Sequence, residues 1–156
     1  MFTALMVTLA KTTDEALLSP IVDQLFGFIS SPESVTLAKS WVDKEYIHTA
    51  EAPDTKIQAL KEANLRSIVK VIFKSEHMTT EEKNQMLEKV LKDDKSDIAK
   101  TVRLQCEVSI ADPAVKAQAW KDITDPNSAF SMKEKQAKMA GFYAWSQFDL
   151  CKPYFD

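Results

Sequence analysis

The stretch TTEEKNQMLEKVL, residues 79–91, decides the fold class because it joins a helix start to a helical apolar face. Thr79 and Glu82 form a capping-box pattern, in which the threonine hydroxyl accepts from a backbone N–H and the glutamate reaches back to the N-cap N–H. The apolar residues that follow keep the spacing of one helical face: Met86, Leu87, Val90 and Leu91. The stretch therefore predicts an amphipathic α-helix that packs through this face.

Helix-start signals of this kind recur along the chain, either as capping boxes or as a capping oxygen before proline. They stand at Thr12-x-x-Glu15, Ser31-Pro32, Asp54, Ser96, Asp112-Pro113 and Ser131-x-x-Glu134. Between them the sequence predicts helices over 2–10, 14–30, 33–48, 55–75, 80–93, 97–110, 113–122, 131–144 and 146–155. Pro20 is expected to split the second helix, since it removes a hydrogen bond from the helix interior.

Three further apolar faces are expected to form the core. The first consists of Ile57, Leu60, Leu65, Ile68, Val69, Ile72 and Phe73. The second consists of Ile98, Val102, Cys106 and Ile110. The third consists of Met132, Gln136, Met139 and Tyr143, with Phe142 beside it.

Glycine is scarce, with only Gly27 and Gly141 among 156 residues. Sheets and tight hairpins usually need more glycine, so the composition favours helices joined by short polar loops. Short connections favour antiparallel neighbours, and two helices in each 35–45 residues match the period of helical repeats. We therefore predict an all-α fold: a single helical-repeat domain over 1–156, with antiparallel hairpins stacked as a HEAT-like or armadillo-like α-solenoid, a superhelix. A compact, irregular helix bundle is the alternative.

The charge balance argues against one class of partner, nucleic acid. A net charge of −3 and a pI of about 5.5 give no clustered basic surface for nucleic acid. No apolar run has the length of a membrane span, and the apolar stretch 2–10 lacks the basic residues that precede a signal peptide's apolar core. We expect a cytoplasmic protein. Its two cysteines, Cys106 and Cys151, lie in apolar helical patterns and are expected to be reduced and buried.

No complete catalytic or metal site is visible in the sequence. A helical zinc site needs two histidines one turn apart, but His48 and His77 lie far apart and near predicted helix ends. Either cysteine could pair with a distant histidine as a nucleophile, but an apolar helical position disfavours the thiolate. We therefore predict no catalytic residues, no metal ligands and no cofactor in this chain. A small enzyme that uses Cys106 or Cys151 remains a remote alternative.

Aromatic residues concentrate at the end of the chain. They are Phe142, Tyr143, Trp145, Phe148, Tyr154 and Phe155. A core seam between the last two helices is the expected role of this cluster. The alternative is an interface for a missing partner segment, since exposed aromatic patches mark such interfaces.

An ordered series of short motifs in the last third of the chain resembles a known family. The series reads Lys116-Ala-Gln-Ala-Trp120, Ser131, Met139-Ala-Gly-Phe142 and Pro153-Tyr154-Phe155. It resembles the C-terminal helical domain of the zinc aminopeptidases, the family of aminopeptidase N and puromycin-sensitive aminopeptidase. The resemblance extends over about 85–156 and is weak before that.

The resemblance implies a HEAT-like solenoid that caps the catalytic chamber of a multidomain peptidase and shapes the access of peptides to it. The family's zinc motif, H-E-x-x-H, and its G-A-M-E-N motif do not occur in this chain. The chain is therefore expected to be a fragment whose parent enzyme carries the zinc, and whose partners are the catalytic domain and the peptide substrate. Arg66, Lys70, Arg103 and Lys138 are candidates for a basic face that attracts a peptide carboxylate; solvated surface charge is the alternative.

Two other expectations follow from the same sequence. A stand-alone helical-repeat module that binds another protein would share the predicted fold without belonging to a peptidase. A truncated solenoid would also expose an apolar end, so self-association of this chain is expected.

Overall fold

The computed structural model describes residues 1–12, 14–92 and 94–155. Over these residues the chain is mostly α-helical, as predicted. Its contacts group into two compact units, Met1–Ile72 and Phe73–Asp156. The elements are α1 (Phe2–Lys11), α2 (Glu15–Gly27), α3 (Pro32–Lys44), β1 (Tyr46–Ile47), β2 (Gln58–Ala59), α4 (Glu62–Lys74), α5 (Thr80–Leu91), α6 (Asp97–Val108), α7 (Pro113–Thr124), α8 (Met132–Phe142) and α9 (Phe148–Cys151), with 3₁₀ turns at Trp145–Gln147 and Lys152–Tyr154.

Most of the predicted helix starts are confirmed. At α5, the Thr79 hydroxyl accepts from the Glu82 N–H, and the Glu82 carboxylate accepts from the Thr79 N–H. The same reciprocal pair forms at Ser131 and Glu134, before α8. The predicted caps of α3, α6 and α7 are also present: Ser31, Ser96 and Asp112. These local patterns work because the bonded groups lie within three residues of each other.

The predicted cap at Asp54 is wrong. Asp54 instead pairs with Lys44, whose Nζ lies 2.9 Å from the Asp54 carboxylate. The helix that Asp54 was expected to open begins at Glu62, where the Asn64 side chain accepts from the Lys61 N–H at 3.0 Å.

Thr12 caps the end of a helix. It is the C-cap of α1, and its hydroxyl donates to the Thr8 carbonyl at 2.7 Å. The predicted capping box Thr12-x-x-Glu15 also needs a hydrogen bond from the Glu15 side chain. That side chain and Thr13 lie outside the described residues.

A short antiparallel pair replaces the predicted helix over 45–48 and 55–61. Helix α3 ends at Lys44 because Glu45 takes a left-handed conformation, with φ of 59°. Strand β1 then pairs with β2, Tyr46 opposite Ala59 and Ile47 opposite Gln58. The pairing satisfies the backbone of this segment, which the helix-based prediction missed.

The last predicted helix is broken, and the second is not. Residues 145–154 form a 3₁₀ turn, the single turn of α9 and a second 3₁₀ turn that contains Pro153. By contrast, α2 continues through Pro20, so the predicted split there is wrong. The turns after Pro20 bury Val22, Leu25 and Phe26, which offsets the lost hydrogen bond.

Each unit has a buried core of its own. In the first unit Trp41 is fully buried, donates its indole N–H to the His48 carbonyl at 2.9 Å and stacks against Phe2. In the second unit the core cluster consists of Val108, Ala119, Phe142 and Cys151, with Trp120, Ile123 and Tyr154 packed on it.

The predicted core face of α8 is wrong. Met132, Gln136, Met139 and Tyr143 are exposed, and the helix buries the neighbouring face instead. That buried face is formed by Lys138, Gly141 and Phe142. The predicted face of α6 also needs one correction, because Ile98 is exposed while Val102 and Cys106 are buried.

Candidate binding surfaces

A fully buried lysine, Lys116, lies at the centre of the second unit. Its ammonium group donates to the Val108 carbonyl at 2.7 Å and to the Phe142 carbonyl at 2.9 Å. It therefore ties the C-terminal ends of α6 and α8 to α7. Burial lowers its pKa to about 8, because the charged form loses its hydration.

Some of the motif residues that carry the family resemblance meet around Lys116. The rings of Trp120, Phe142 and Tyr154 lie 5.4–5.6 Å apart, centre to centre. Next to Phe142, Gly141 lets α8 approach α6 so closely that a Cβ there would lie 2.1 Å from the Gln105 carbonyl oxygen. Residues from three motifs, spread over about forty positions, thus form one cluster, while other motif residues are exposed.

Two other polar groups of this interior donate to backbone carbonyls. The Gln147 amide donates to the Ser109 carbonyl at 2.9 Å, and the Cys151 thiol donates to the Phe142 carbonyl at 3.2 Å. Cys151 and Cys106 are both free thiols and fully buried, as predicted. Neither thiol lies open to a substrate, so the arrangement gives no support to a cysteine nucleophile.

Three lysines make the same kind of hydrogen bond to the end of a neighbouring helix. Our sequence reasoning missed this arrangement. Lys83, Lys116 and Lys135 each lie four residues after a helix N-cap. Each donates to carbonyls at the end of the preceding helix: Lys83 to Phe73 and Ser75, Lys116 to Val108, and Lys135 to Asp125. We call these residues the lysine clamps. The signal that could have revealed them is a capping residue followed by lysine four positions later.

Three of the four residues of the candidate basic face are paired with carboxylates. The Arg66 guanidinium lies 2.8 Å from Glu62, and the Lys138 ammonium lies 2.9 Å from Asp122. Arg103 donates two hydrogen bonds to Glu88, one of them at 3.1 Å. Lys70 is half-buried on α4. Arg66 and Lys70 belong to the first unit, Arg103 and Lys138 to the second.

The two histidines have different roles in the structure. His48 is buried directly after β1, with Nε2 2.9 Å from the Ser40 hydroxyl and Nδ1 2.8 Å from the Thr49 carbonyl. Its predicted place at a helix end is therefore wrong. His77 is exposed in the turn before α5.

The C-terminal aromatic residues divide into a buried and an exposed set. Phe142 is buried and Tyr154 packs on the core cluster, which agrees with the expected seam. Four others remain exposed and form what we call the aromatic surface: Tyr143, Trp145, Phe148 and Phe155. Trp145 is the extreme case, with 84% of its area accessible. Exposed aromatic side chains of this size mark candidate interfaces.

An apolar groove of about 750 Å³ lies in the first unit. One wall is α1, the other is the beginning of α3, and residues 49–51 close one end. The apolar lining consists of Phe2, Met6, Val7, Ala10 and Leu37. Among the described residues, this groove and the aromatic surface are candidate binding surfaces.

Within the described ranges, no group of three or more His, Cys, Asp or Glu side chains is arranged to hold a metal ion. None of the helices in that part of the chain combines the length and apolar character that crossing a membrane requires. Comparison with models of known protein families gave no match, and neither did comparison with curated proteins.

Proposed function

We propose that the chain is a non-catalytic helical domain of a zinc aminopeptidase, a HEAT-like solenoid that caps the catalytic chamber and shapes peptide access. In this proposal the zinc and the peptidase chemistry belong to another domain of the same protein. The chain contributes packing surfaces, and its buried polar groups hold helices together.

The observation that carries the proposal is the interior cluster around Lys116. The resemblance rests on short motifs, of which Ser131, Met139 and Phe155 are exposed. Five other motif residues contact one another or the same helix ends in the interior: Lys116, Trp120, Gly141, Phe142 and Tyr154. Interior contacts of this kind are what the helical framework in the proposal would require.

Contacts among α6, α7 and α8 support stacked hairpins. Lys100 pairs with Glu134 near the start of α6 and α8, while Gln105 approaches Gly141 near their ends. Helices α6 and α8 therefore run side by side in the same direction, and their caps, Ser96 and Ser131, lie 35 residues apart. The Lys138–Asp122 pair and the Lys135 bond to Asp125 make α7 antiparallel to α8. Alternation of this kind at a fixed period is typical of solenoids.

The aromatic surface has a role in this proposal as the face that packs against the rest of the enzyme. Burial of Trp145 and Phe148 in such a contact would remove their apolar area from water. The expected partner is the catalytic domain, with peptide substrate reaching the chamber beside it.

The decisive experiment compares the native protein with the isolated 156-residue chain. An antibody raised against the chain is used to purify the protein that contains it from its source cells. We expect that protein to exceed 17.6 kDa, to hold one zinc per chain, and to release N-terminal residues from aminoacyl coumarin amides until a chelator is added. The isolated chain should neither bind stoichiometric zinc nor cleave these substrates.

A stand-alone interaction module is the second candidate, favoured by the two open apolar surfaces. It predicts a native protein of about 17.6 kDa that lacks zinc and peptidase activity. That result would overturn the aminopeptidase proposal, and turnover by the isolated chain would overturn both.

A further inference from the structure

We propose that the exposed face of α8 binds a helix of a partner protein, one that carries a carboxylate in its first turn and a glycine seven residues later. We call this surface the α8 face; it consists of Met132, Gln136, Met139 and Tyr143, the last of which also belongs to the aromatic surface. The proposal rests on how α6 packs against α8 in the second unit, and it does not depend on the aminopeptidase proposal.

Helix α6 packs along α8 through a face of its own. Near the beginning of both helices, the Lys100 ammonium pairs with the Glu134 carboxylate. Near their ends, the Gln105 carbonyl approaches Gly141 so closely that a Cβ there would lie 2.1 Å from the oxygen. Glu134 and Gly141 lie seven residues apart on α8, about two helical turns, so these two contacts fix the register of the helix pair.

The α8 face has the same position on α8 as this packing face has on α6. The serine caps of the two helices lie 35 residues apart, so each residue of α6 corresponds to the residue 35 positions later on α8. The shift carries Lys100 onto Lys135, and it carries Gln105 onto Ala140. At 3.6 residues per turn, Lys135 and Ala140 flank the α8 face on its two sides. A helix packed on α8 as α8 packs on α6 would therefore cover the α8 face.

The α8 face is apolar and accessible. Met132, Met139 and Tyr143 are 71%, 46% and 37% exposed. The same shift places Val108 of α6 at Tyr143, yet Val108 is buried in the core cluster with Phe142 of α8. Coverage of the α8 face by a further helix would remove its apolar area from water, and methionine side chains adapt readily to such a contact.

The flanking residues indicate which helix fits. Lys135 donates to the neutral Asp125 carbonyl at 2.7 Å, and an ammonium group has further N–H donors and its charge for a carboxylate. The Asp125 carboxylate itself accepts from the Asn127 N–H. Lys133 adds positive charge on the other side of the α8 face. Ala140 is exposed and has only a methyl group, so a partner backbone can approach it where the partner carries glycine.

A second copy of this chain does not supply such a helix without unpacking. Its glycines are Gly27 and Gly141. Proline stands seven residues before Gly27, whereas Glu134 stands seven residues before Gly141. In this sequence the required pair therefore occurs on α8, where it is already in contact with α6. The occupant is thus a helix of a different protein.

A peptide that copies α8 is the probe, because it carries Glu134 and Gly141 at the required spacing. It has the sequence of residues 131–143, with a cross-link in place of Met132 and Gln136 that holds it helical. Binding of the labelled peptide to the full chain is measured by fluorescence anisotropy at low salt. We expect saturable one-to-one binding. Absence of saturation would overturn the proposal.

Changes in the peptide test the register. Gly141→Leu in the peptide should weaken binding at least about tenfold, because the added side chain would meet the backbone of α8. Glu134→Lys in the peptide should also weaken it, because its ammonium would face Lys133 and Lys135 of the chain. Met139→Gln in the peptide is the control that should bind equally, since this position points away from the chain. Equal binding of the glycine and leucine peptides would overturn the proposal.

Variants of the chain locate the site. Met139→Asp should weaken binding of the unchanged peptide at least about tenfold, because it places a carboxylate within the α8 face. Ala140→Leu should weaken it as well, by blocking the close approach. Ile98→Asp is the matched control: Ile98 is 54% exposed on α6, outside the α8 face, and its variant should bind normally. Circular dichroism of each variant confirms that it is folded.

Two results would overturn this assignment of the site. One is unchanged binding in both Met139→Asp and Ala140→Leu, which would indicate that the peptide displaces α8 from α6 and does not bind on α8. The other is a dimer, seen by sedimentation without peptide, that Met139→Asp dissociates and Ile98→Asp does not, because a second copy would then occupy the α8 face.

Discussion

Gly141 is the residue where the packing of two helices depends on a missing side chain. Alanine there would place a methyl group 2.1 Å from the Gln105 carbonyl oxygen, so α6 and α8 would have to separate. We expect Gly141→Ala to lower the free energy of unfolding by about 1–3 kcal/mol. Urea denaturation measures this change. Gly27→Ala is the matched control: nothing lies within 4 Å of its added Cβ, so it should be neutral or slightly stabilising. Equal effects of the two substitutions would contradict the close approach.

Lys116 should make stability depend on alkaline pH. Its pKa falls from 10.5 to about 8 on folding, so at pH below 8 both states are protonated and the full cost of burying the charge is present. Between pH 8 and 10.5 the unfolded chain binds more protons, so stability rises with pH through this range. The shift corresponds to up to about 3 kcal/mol.

The variant Lys116→Met should lack this rise, since methionine does not titrate. Urea denaturation at pH 7.5 and pH 10 checks the difference, with Lys121→Met on the exposed face of α7 as the control that keeps it. Identical pH dependence in Lys116→Met and the unchanged chain would show that Lys116 titrates normally.

Residue patterns in the sequence predicted some of these positions and missed others. Cys106 and Cys151 are buried as their apolar spacing indicates. The face of α8 was missed because hydrophobicity favours Met132 and Met139, whereas the buried side contains Lys138. The lysine's alkyl chain can be buried once its ammonium group pairs with Asp122, and no periodicity of apolar residues records that.

At the scale of elements, helix starts were easier to predict than helix ends. A start depends on a cap and its partner three residues later, as at Thr79 and Glu82. Here the ends depend on tertiary contacts, since the carbonyls at the ends of α4 and α6 are bound by lysines of the following helices. Glycine commonly ends helices in the left-handed conformation, but Gly27, the last residue of α2, and Gly141, next to last in α8, both lack a positive φ. At the ends of α4, α6 and α7 the lysine clamps bind the last carbonyl groups instead.

The clamps should therefore matter more than other lysines at the same helical position. Lys83→Met and Lys135→Met leave carbonyls at the ends of α4 and α7 without their donors, so each should lower the free energy of unfolding by about 1–3 kcal/mol. Lys100 lies four residues after the Ser96 cap but pairs with Glu134 instead, and its own side chain remains 62% exposed. Lys100→Met should therefore have the smallest effect. Thermal or urea unfolding of the three variants would contradict this account if Lys100→Met had the largest effect.

At the scale of the whole molecule, composition predicted the helical class but could not place the open surfaces. Two glycines and recurrent caps sufficed to predict helices. Whether an aromatic residue is covered depends on the direction in which the backbone presents it: Phe142, the last residue of α8, is buried, whereas Tyr143, the extended C-cap that follows, is exposed. The sequence therefore left both roles of the aromatic cluster open, and the structure shows a buried set and an exposed set.

The aromatic surface and the low net charge together predict how the isolated chain behaves in concentrated solution. With Trp145 84% exposed and a pI of about 5.5, association should increase as the pH falls from 8 towards 5.5, because electrostatic repulsion between copies then vanishes. Sedimentation velocity at several protein concentrations, at pH 8 and at pH 5.5, measures this association. Trp145→Ser should reduce association at both pH values, whereas Ile98→Ser, at a residue 54% exposed but outside the aromatic surface, should not. A monomer at every concentration and pH would contradict the prediction, and equal effects of the two variants would assign the association to general apolar exposure.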